Sequence, residues 1–161
     1  MTNHSSATNS YQNNEILLVY PGKYGAPEPQ IPLPLLYLAS PLRNAGYNVR
    51  LFDMRLENLD NFQLEKPVFV GISSMSGPQI RYGLEFAQKV RAQNSSCPIV
   101  WGGVHPSLLP EQTATNELVD VVVRGEGELT ILESANSRVR APAMVLVAGN
   151  VPTIGLISKQ N

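Results

Sequence analysis

Apolar residues along this chain recur in two rhythms. Short continuous runs, ILLVY (Ile16–Tyr20), VRLFD (Val49–Asp53), VFVGIS (Val68–Ser73), PIVWGG (Pro98–Gly103) and VDVVVR (Val119–Arg124), are rich in β-branched and aromatic residues. They have the length and composition of strands covered on both faces. Between them lie amphipathic stretches that predict helices at Leu33–Ala45, Pro78–Ala92 and Ser107–Asn116, with a further short one from near Glu128. In the second stretch Ile80, Leu84, Ala87 and Val90 share a face while Arg81, Glu85, Gln88 and Lys89 point away, which is the pattern of a helix lying on a sheet. Arg55–Phe62 reads as a short helix or an irregular connection. Strand–helix alternation of this kind predicts an α/β fold: a Rossmann-like, five-stranded parallel sheet of flavodoxin-like order 2-1-3-4-5, with helices on both faces.

The ends of the chain do not follow this rhythm. Residues 1–14 are nearly all Asn, Ser, Thr and Gln, too polar to offset their ordering entropy by burial, so a disordered tail is expected there. The domain proper is expected to span residues 15–133. Residues 134–161 read as a sixth strand or a divergent tail of no assigned role. Their apolar stretch, Ala141–Ser158, is interrupted by Pro142, Asn150 and Pro152 and is too broken to span a bilayer. The N-terminus has neither a basic nor an apolar signal region, so a cytoplasmic protein with no membrane association is expected.

Composition removes several classes of function. At 161 residues the chain fits one domain of ordinary size. Twelve basic and 13 acidic residues give a net charge of -1 without any Lys/Arg run, so no nucleic-acid partner is expected. The single cysteine, Cys97, cannot form an intramolecular disulfide or hold an iron–sulfur cluster on this chain alone.

In an open parallel sheet, ligands bind beyond the carboxyl ends of the strands. The loops at that rim are PGKYGAPEPQIPLP after strand one, beginning with Pro21 and Gly22, SSMSGPQ (Ser73–Gln79) after strand three, GGVHP (Gly102–Pro106) after strand four and RGEGE (Arg124–Glu128) after strand five. All are rich in Gly, Ser or Pro. The loops at the other rim, NAGYN, QNSSCP and TNEL, read as ordinary helix stops, with Gly46 at a C′ position. Glycines allow a ligand close to the backbone, and hydroxyls with helix-start N–H groups can bind phosphate or amide groups. Four converging loops imply a large ligand.

Each motif also has a plainer explanation. A Gly–Gly pair can simply turn the chain, and His105 before Pro106 can be a helix-start residue. GISSM lacks the second glycine of a nucleophile elbow, Met75 standing in its place. GEG fits neither a dinucleotide fingerprint nor a P-loop. Glu126 and Glu128, one residue apart, do not by themselves make an acid–base pair, and helix-start electrostatics accounts for Glu128.

Taken together, PLPLLYLASPLRNAGYNVRLFD, VGISSMSGPQI, IVWGGVHPSLLPEQ and VDVVVRGEGELTILE resemble the N-terminal cobalamin (B12)-binding domain of B12-dependent radical SAM proteins. That family includes methyltransferases and the anaerobic magnesium-protoporphyrin ester cyclase-like enzymes. The resemblance implies a corrin held across the strand ends and a nucleotide tail running into the sheet near strands one, three and four. Ser73, Ser74, Met75, Ser76 and Gln79 match the family's strand-three loop beside the corrin and tail. Gly102, Gly103, His105 and Pro106 match its turn around the tail, and Gly125, Glu126, Gly127 and Glu128 match its last loop. Carriers of the methionine-synthase type ligate cobalt with a histidine in an Asp-x-His-x-x-Gly motif after strand one. Here that loop is PGKYGAP, so the resemblance implies base-off cobalamin without a protein histidine ligand, the cobalt being held by the corrin. The family's Cys-x-x-x-Cys-x-x-Cys motif does not occur in these residues. The expected function is therefore a cobalamin-binding module, not catalytic alone, that serves a radical SAM protein or domain in trans. The competing readings are the B12-binding half of a two-chain methyltransferase or cyclase, and a flavodoxin-like flavin or nucleotide binder.

Overall fold

Residue pairing along the strands fixes a single sheet. The computed structural model describes residues 14–137, 144–147 and 155–156. Its elements are β1 (Glu15–Tyr20), α1 (Leu33–Asn44), β2 (Asn48–Asp53), β3 (Phe69–Ser73), α2 (Pro78–Gln93), β4 (Ile99–Gly102), α3 (Val104–Leu108), α4 (Pro110–Ala114), β5 (Val121–Arg124), α5 (Glu128–Ser137), β6 (Met144–Val147) and β7 (Gly155–Leu156). The strand order is β2-β1-β3-β4-β5-β6-β7. The first five strands take the expected order, and all of their pairings are parallel. β6 extends the sheet in parallel beside β5, and β7 closes the edge antiparallel. The expected N-terminal tail and most of the expected C-terminal tail lie outside the described residues.

Alternation along β1 shows why the sheet is buried on both sides. Leu17 and Val19 enter a core with Phe52, Phe62, Phe86, Val90 and Trp101 beneath α2. Ile16 and Leu18 enter a second core with Leu35, Ala39, Leu42, Val100 and Ile131 beneath α1 and α5. The first core holds an aromatic cluster in which Phe62 lies 4.7 Å from Phe86 and 5.1 Å from Phe52, centroid to centroid. Gly83 lets α2 approach the sheet closely, because a Cβ there would sit 2.7 Å from the Trp101 ring.

Local signals set the helix ends. α1 stops in a Schellman arrangement: Gly46, at φ 90, follows the C-cap, its N–H donates to the Arg43 carbonyl, and the Tyr47 N–H donates to that of Leu42. The stretch after β4 departs from the single helix expected over Ser107–Asn116. It forms two short helices that start at Val104 and Pro110. Pro110 has no N–H to continue a helix and drives the residue before it out of the helical region; Leu109 accordingly sits at φ -129, ψ 59. Arg55–Phe62 is irregular apart from one 3-10 turn at Leu59–Asn61, started by the Asn58 side chain accepting from the Asp60 N–H.

Candidate functional site

Two adjoining hollows open at the carboxyl ends of β1, β3, β4 and β5. The first, about 260 Å³, is a cleft between α1 and α5 that reaches down to the sheet. Leu35 and Leu38 form one wall, Ile131 the other, and Gly71 and Val100 the floor. The second, about 460 Å³, is a shallower basin edged by Tyr20, Ser73, Ser74, Met75, Gln79 and Ser107. Pro34, Ser73, Gly103 and Gly125 border both, so the cleft and the basin form one continuous depression.

Small residues create the cleft, but they act in different ways. Gly102 has room for a side chain, since a Cβ there would come no closer than 3.8 Å to Val123. Gly103 does not. It sits at φ 102, and a Cβ would lie 2.7 Å from the Ser74 carbonyl oxygen and 3.0 Å from the Ser74 nitrogen. The space beside Gly103 is therefore taken by the chain itself, whereas the space beside Gly102 belongs to the cleft. Gly103 thus has a backbone reason to be glycine, although it borders both hollows as Gly102 borders the cleft. Gly125, at φ 84, is likewise a backbone requirement. Gly127 leaves space against the cleft wall that a side chain would take: an added Cβ would sit 3.2 Å from Leu38 and 3.6 Å from Val123.

Hydrogen bonds join these loops into one frame. The Ser74 N–H donates to the Gly102 carbonyl and the His105 N–H donates to that of Ser74. Ser107 bridges two loops: its hydroxyl donates to the Gly103 carbonyl at 2.7 Å and accepts the Gly125 N–H at 2.9 Å. Gln79 accepts the Met75 N–H at 2.8 Å and so holds the β3–α2 loop in its turn. The Ser74 hydroxyl and the Trp101 Nε1 are buried and have no hydrogen-bond partner among the described residues. An unsatisfied hydroxyl in such a place costs about 1–3 kcal/mol and is the kind of group a bound ligand would satisfy.

Of the residues singled out from sequence, Ser73, Ser74, Met75, Gln79, Gly102, Gly103, Gly125, Gly127 and Glu128 line the depression. Ser76 is exposed in the same loop. Pro21, Gly22, His105, Pro106 and Glu126 do not line either hollow. Pro21 and Gly22 are buried at the start of the β1–α1 loop, and His105 and Pro106 lie within α3, Pro106 buried. The helix starts at Val104, three residues before the expected start at Ser107. Sequence reading missed Tyr20, Leu35, Tyr37, Leu38, Ser107, Val123 and Ile131. Most of these are apolar and read as core, and only Tyr37, which stays 63% exposed on α1, carries a signal of its own. Among the described residues no cluster of three or more His, Cys, Asp or Glu side chains could hold a metal ion.

A B12 binding domain family model matches residues 26–135, a span that takes in α1, the whole of the β3, β4 and β5 loops and most of α5. This chain belongs to the B12-binding domain family. Membership makes cobalamin the cofactor of this domain. The B12-binding domain is 34% identical over 110 residues to an uncharacterized methyltransferase of Pyrococcus horikoshii, a match covering 63% of this chain and 23% of that protein. Its fold is similar to a part of TsrM, a radical S-adenosylmethionine methyltransferase from Kitasatospora setae. A structure of TsrM with cobalamin and a 4Fe-4S cluster superposes with a TM-score of 0.68 at 22% identity, over 78% of this chain and 26% of that one. A second, with tryptophan and a SAM analogue, gives 0.67 at 23% identity over the same shares. The chain thus spans about a quarter of the length of the relatives it matches.

The residues present fit the cofactor. An apolar cleft walled by Leu35, Leu38 and Ile131 suits a flat, weakly polar base, and the adjoining basin, lined by Tyr20, Met75, Val104 and Leu108 with Ser73 at its border, suits a broader, largely apolar group.

Proposed function

We propose that residues 15–133 form a module that holds cobalamin base-off, with the nucleotide tail in the α1/α5 cleft and the corrin over the serine-edged basin. The observation that carries this reading is one continuous depression at the carboxyl ends of β1, β3, β4 and β5, its inner part a cleft between α1 and α5 and its outer part a wider basin. A tail occupying the cleft cannot place its base on cobalt. No histidine stands in the β1–α1 loop, and His105, within α3, is not among the residues that line either hollow, which supports a cobalt without a protein histidine ligand. When bound, cobalamin supplies methyl transfer or radical chemistry, and the protein supplies placement.

Large apolar side chains stand exposed around the same rim. Tyr24, Ile31, Leu33, Met75, Val104 and Leu108 are each at least half exposed. Contiguous apolar surface next to a cofactor site favours a covering partner, and in this reading the corrin is presented to a radical SAM domain or protein. These 161 residues contain one cysteine, so the cluster-binding thiolates come from elsewhere and the module is not catalytic alone. A reduced, buried Cys97 is in keeping with the cytoplasm.

The test is to mix the purified chain with hydroxocobalamin and pass it through gel filtration. Retention of the corrin with a base-off absorption spectrum is the expected result. Loss of the corrin, together with thermal stabilisation by FMN, would favour a flavin binder instead.

A further inference from the structure

The connection between β1 and α1 runs along the cofactor rim from Pro21 to Pro32 and has no regular secondary structure. It also carries local strain, because Glu28 is held at φ 47, in the left-handed region. A loop of this length and conformation needs an external tie, and a single residue after β2, through its side chain and its backbone carbonyl, provides it. The Arg55 guanidinium donates to the Gln30 carbonyl at 2.7 Å. The Arg55 carbonyl accepts the Gly25 N–H at 3.0 Å. The stem of Arg55 runs over Gly22, where a Cβ would be 2.4 Å from the Arg55 Cγ. Both halves of the loop are therefore fastened to one residue.

Arg55 is itself fixed. Its Nε and Nη2 donate to the two carboxylate oxygens of Asp53 at 2.9 and 2.6 Å, and its own N–H donates to Asp53 Oδ1 at 3.0 Å. The guanidinium lies 4.4 Å from the centroid of the Tyr20 ring, and Tyr20 edges the basin. Asp53 is 8% exposed, so this fork-to-fork pair works in a partly dehydrated setting where its geometry is well defined. Lysine could supply the charge but not the fork, the second bond to Gln30 or the flat stacking surface.

We propose that Arg55 is a positioning residue: anchored by Asp53, it holds the β1–α1 loop and the Tyr20 ring in the shape that receives the cofactor. This inference rests on the cobalamin reading for its effect on binding, whereas its effect on the loop can be read without any ligand. Lys23, exposed in the loop, is the first Lys or Arg of the chain, so tryptic cleavage after it yields a defined N-terminal fragment by mass spectrometry. Cleavage after Lys89 and Arg91, on α2, reports general unfolding in the same digest.

The experiment compares wild type, Arg55→Lys and Arg55→Met by timed trypsin digestion and by hydroxocobalamin titration. Expected for Arg55→Met is cleavage after Lys23 faster by about tenfold or more with cleavage in α2 unchanged, as local opening without global unfolding requires, together with cobalamin affinity weakened by about tenfold. Arg55→Lys should fall between the two, and it keeps the test valid if the methionine variant folds poorly. Unchanged cleavage after Lys23 in both variants, or faster cleavage at all sites in step, would overturn the clamp. A selectively opened loop with unchanged cobalamin affinity would overturn its link to the cofactor. If wild type binds no cobalamin but Lys23 is still selectively exposed in the variants, the cofactor reading fails and the clamp on the loop stands.

Discussion

The two rims of the sheet are built from the same alternation of strand and helix, yet they differ in how much they leave open. At the amino-end rim, side chains close off the backbone. Arg91 pairs with Asp120 and donates to the Cys97 carbonyl, while Asp120 also accepts the Ile99 N–H at 2.7 Å. Asn94 and Asn116 cap their own turns, and Gln93 holds the Phe62–Leu64 segment with a bond at each end of its amide. At the carboxyl-end rim, glycines in left-handed conformations do the turning, at Gly25, Gly77, Gly103 and Gly125. The Ser74 hydroxyl is left unpartnered and large apolar side chains stay exposed. Among the described residues the carboxyl-end rim is the one that carries the depression.

The largest effect that sharpens this contrast is expected at Gly103. Substitution by Val forces a branched residue into φ 102 and a Cβ into the Ser74 backbone, which should cost about 3 kcal/mol of stability, read as a lower urea midpoint. A stable Gly103→Val protein would show that the β4–α3 turn can relax and that the glycine serves only the ligand.

At the opposite rim Cys97 offers a pH test. Burial raises its thiol from 9.0 to about 11, so the folded chain keeps the proton over a range in which the unfolded chain has lost it. The resulting stabilisation is complete below about pH 9 and is lost as pH rises towards 11, in total roughly 2–3 kcal/mol. The difference in urea midpoint between wild type and Cys97→Ala should shrink across that window. Parallel pH profiles would contradict the assignment.

A smaller effect is expected from Arg91→Leu, which removes one partner of a half-buried pair. Stability should fall by about 1–2 kcal/mol, while affinity for cobalamin stays that of the wild type, because the pair lies at the end of the sheet away from the cleft. Weakened cofactor binding without further loss of stability would blur the division between the rims.

The sequence carried the five-strand order through its continuous apolar runs, and it marked the functional rim through glycines and serines outside any helix or strand pattern. What it could not carry was the difference between two adjacent glycines. Gly102 and Gly103 read alike as GG, and only the backbone dihedrals and the position of Ser74 separate the one that opens the cleft from the one that lets the chain fold. The cleft walls were hidden for a related reason: Leu35, Val123 and Ile131 are apolar residues in an apolar pattern, and burial against a ligand has the same signature as burial against a core. Arg55 and Asp53 were passed over because a charged pair two residues apart looks like any solvated strand end until its hydrogen bonds to Gln30 and Gly25 are placed.

The most direct test of the cofactor cleft is a hydroxocobalamin titration of wild type beside Gly102→Leu. The backbone at Gly102 tolerates a side chain, and the leucine would fill the space between α1 and α5 that the tail needs. The account predicts that the variant folds with near wild-type stability, within about 1 kcal/mol, and binds cobalamin weaker by about a hundredfold or not at all. A folded Gly102→Leu protein that binds cobalamin as tightly as wild type would contradict it.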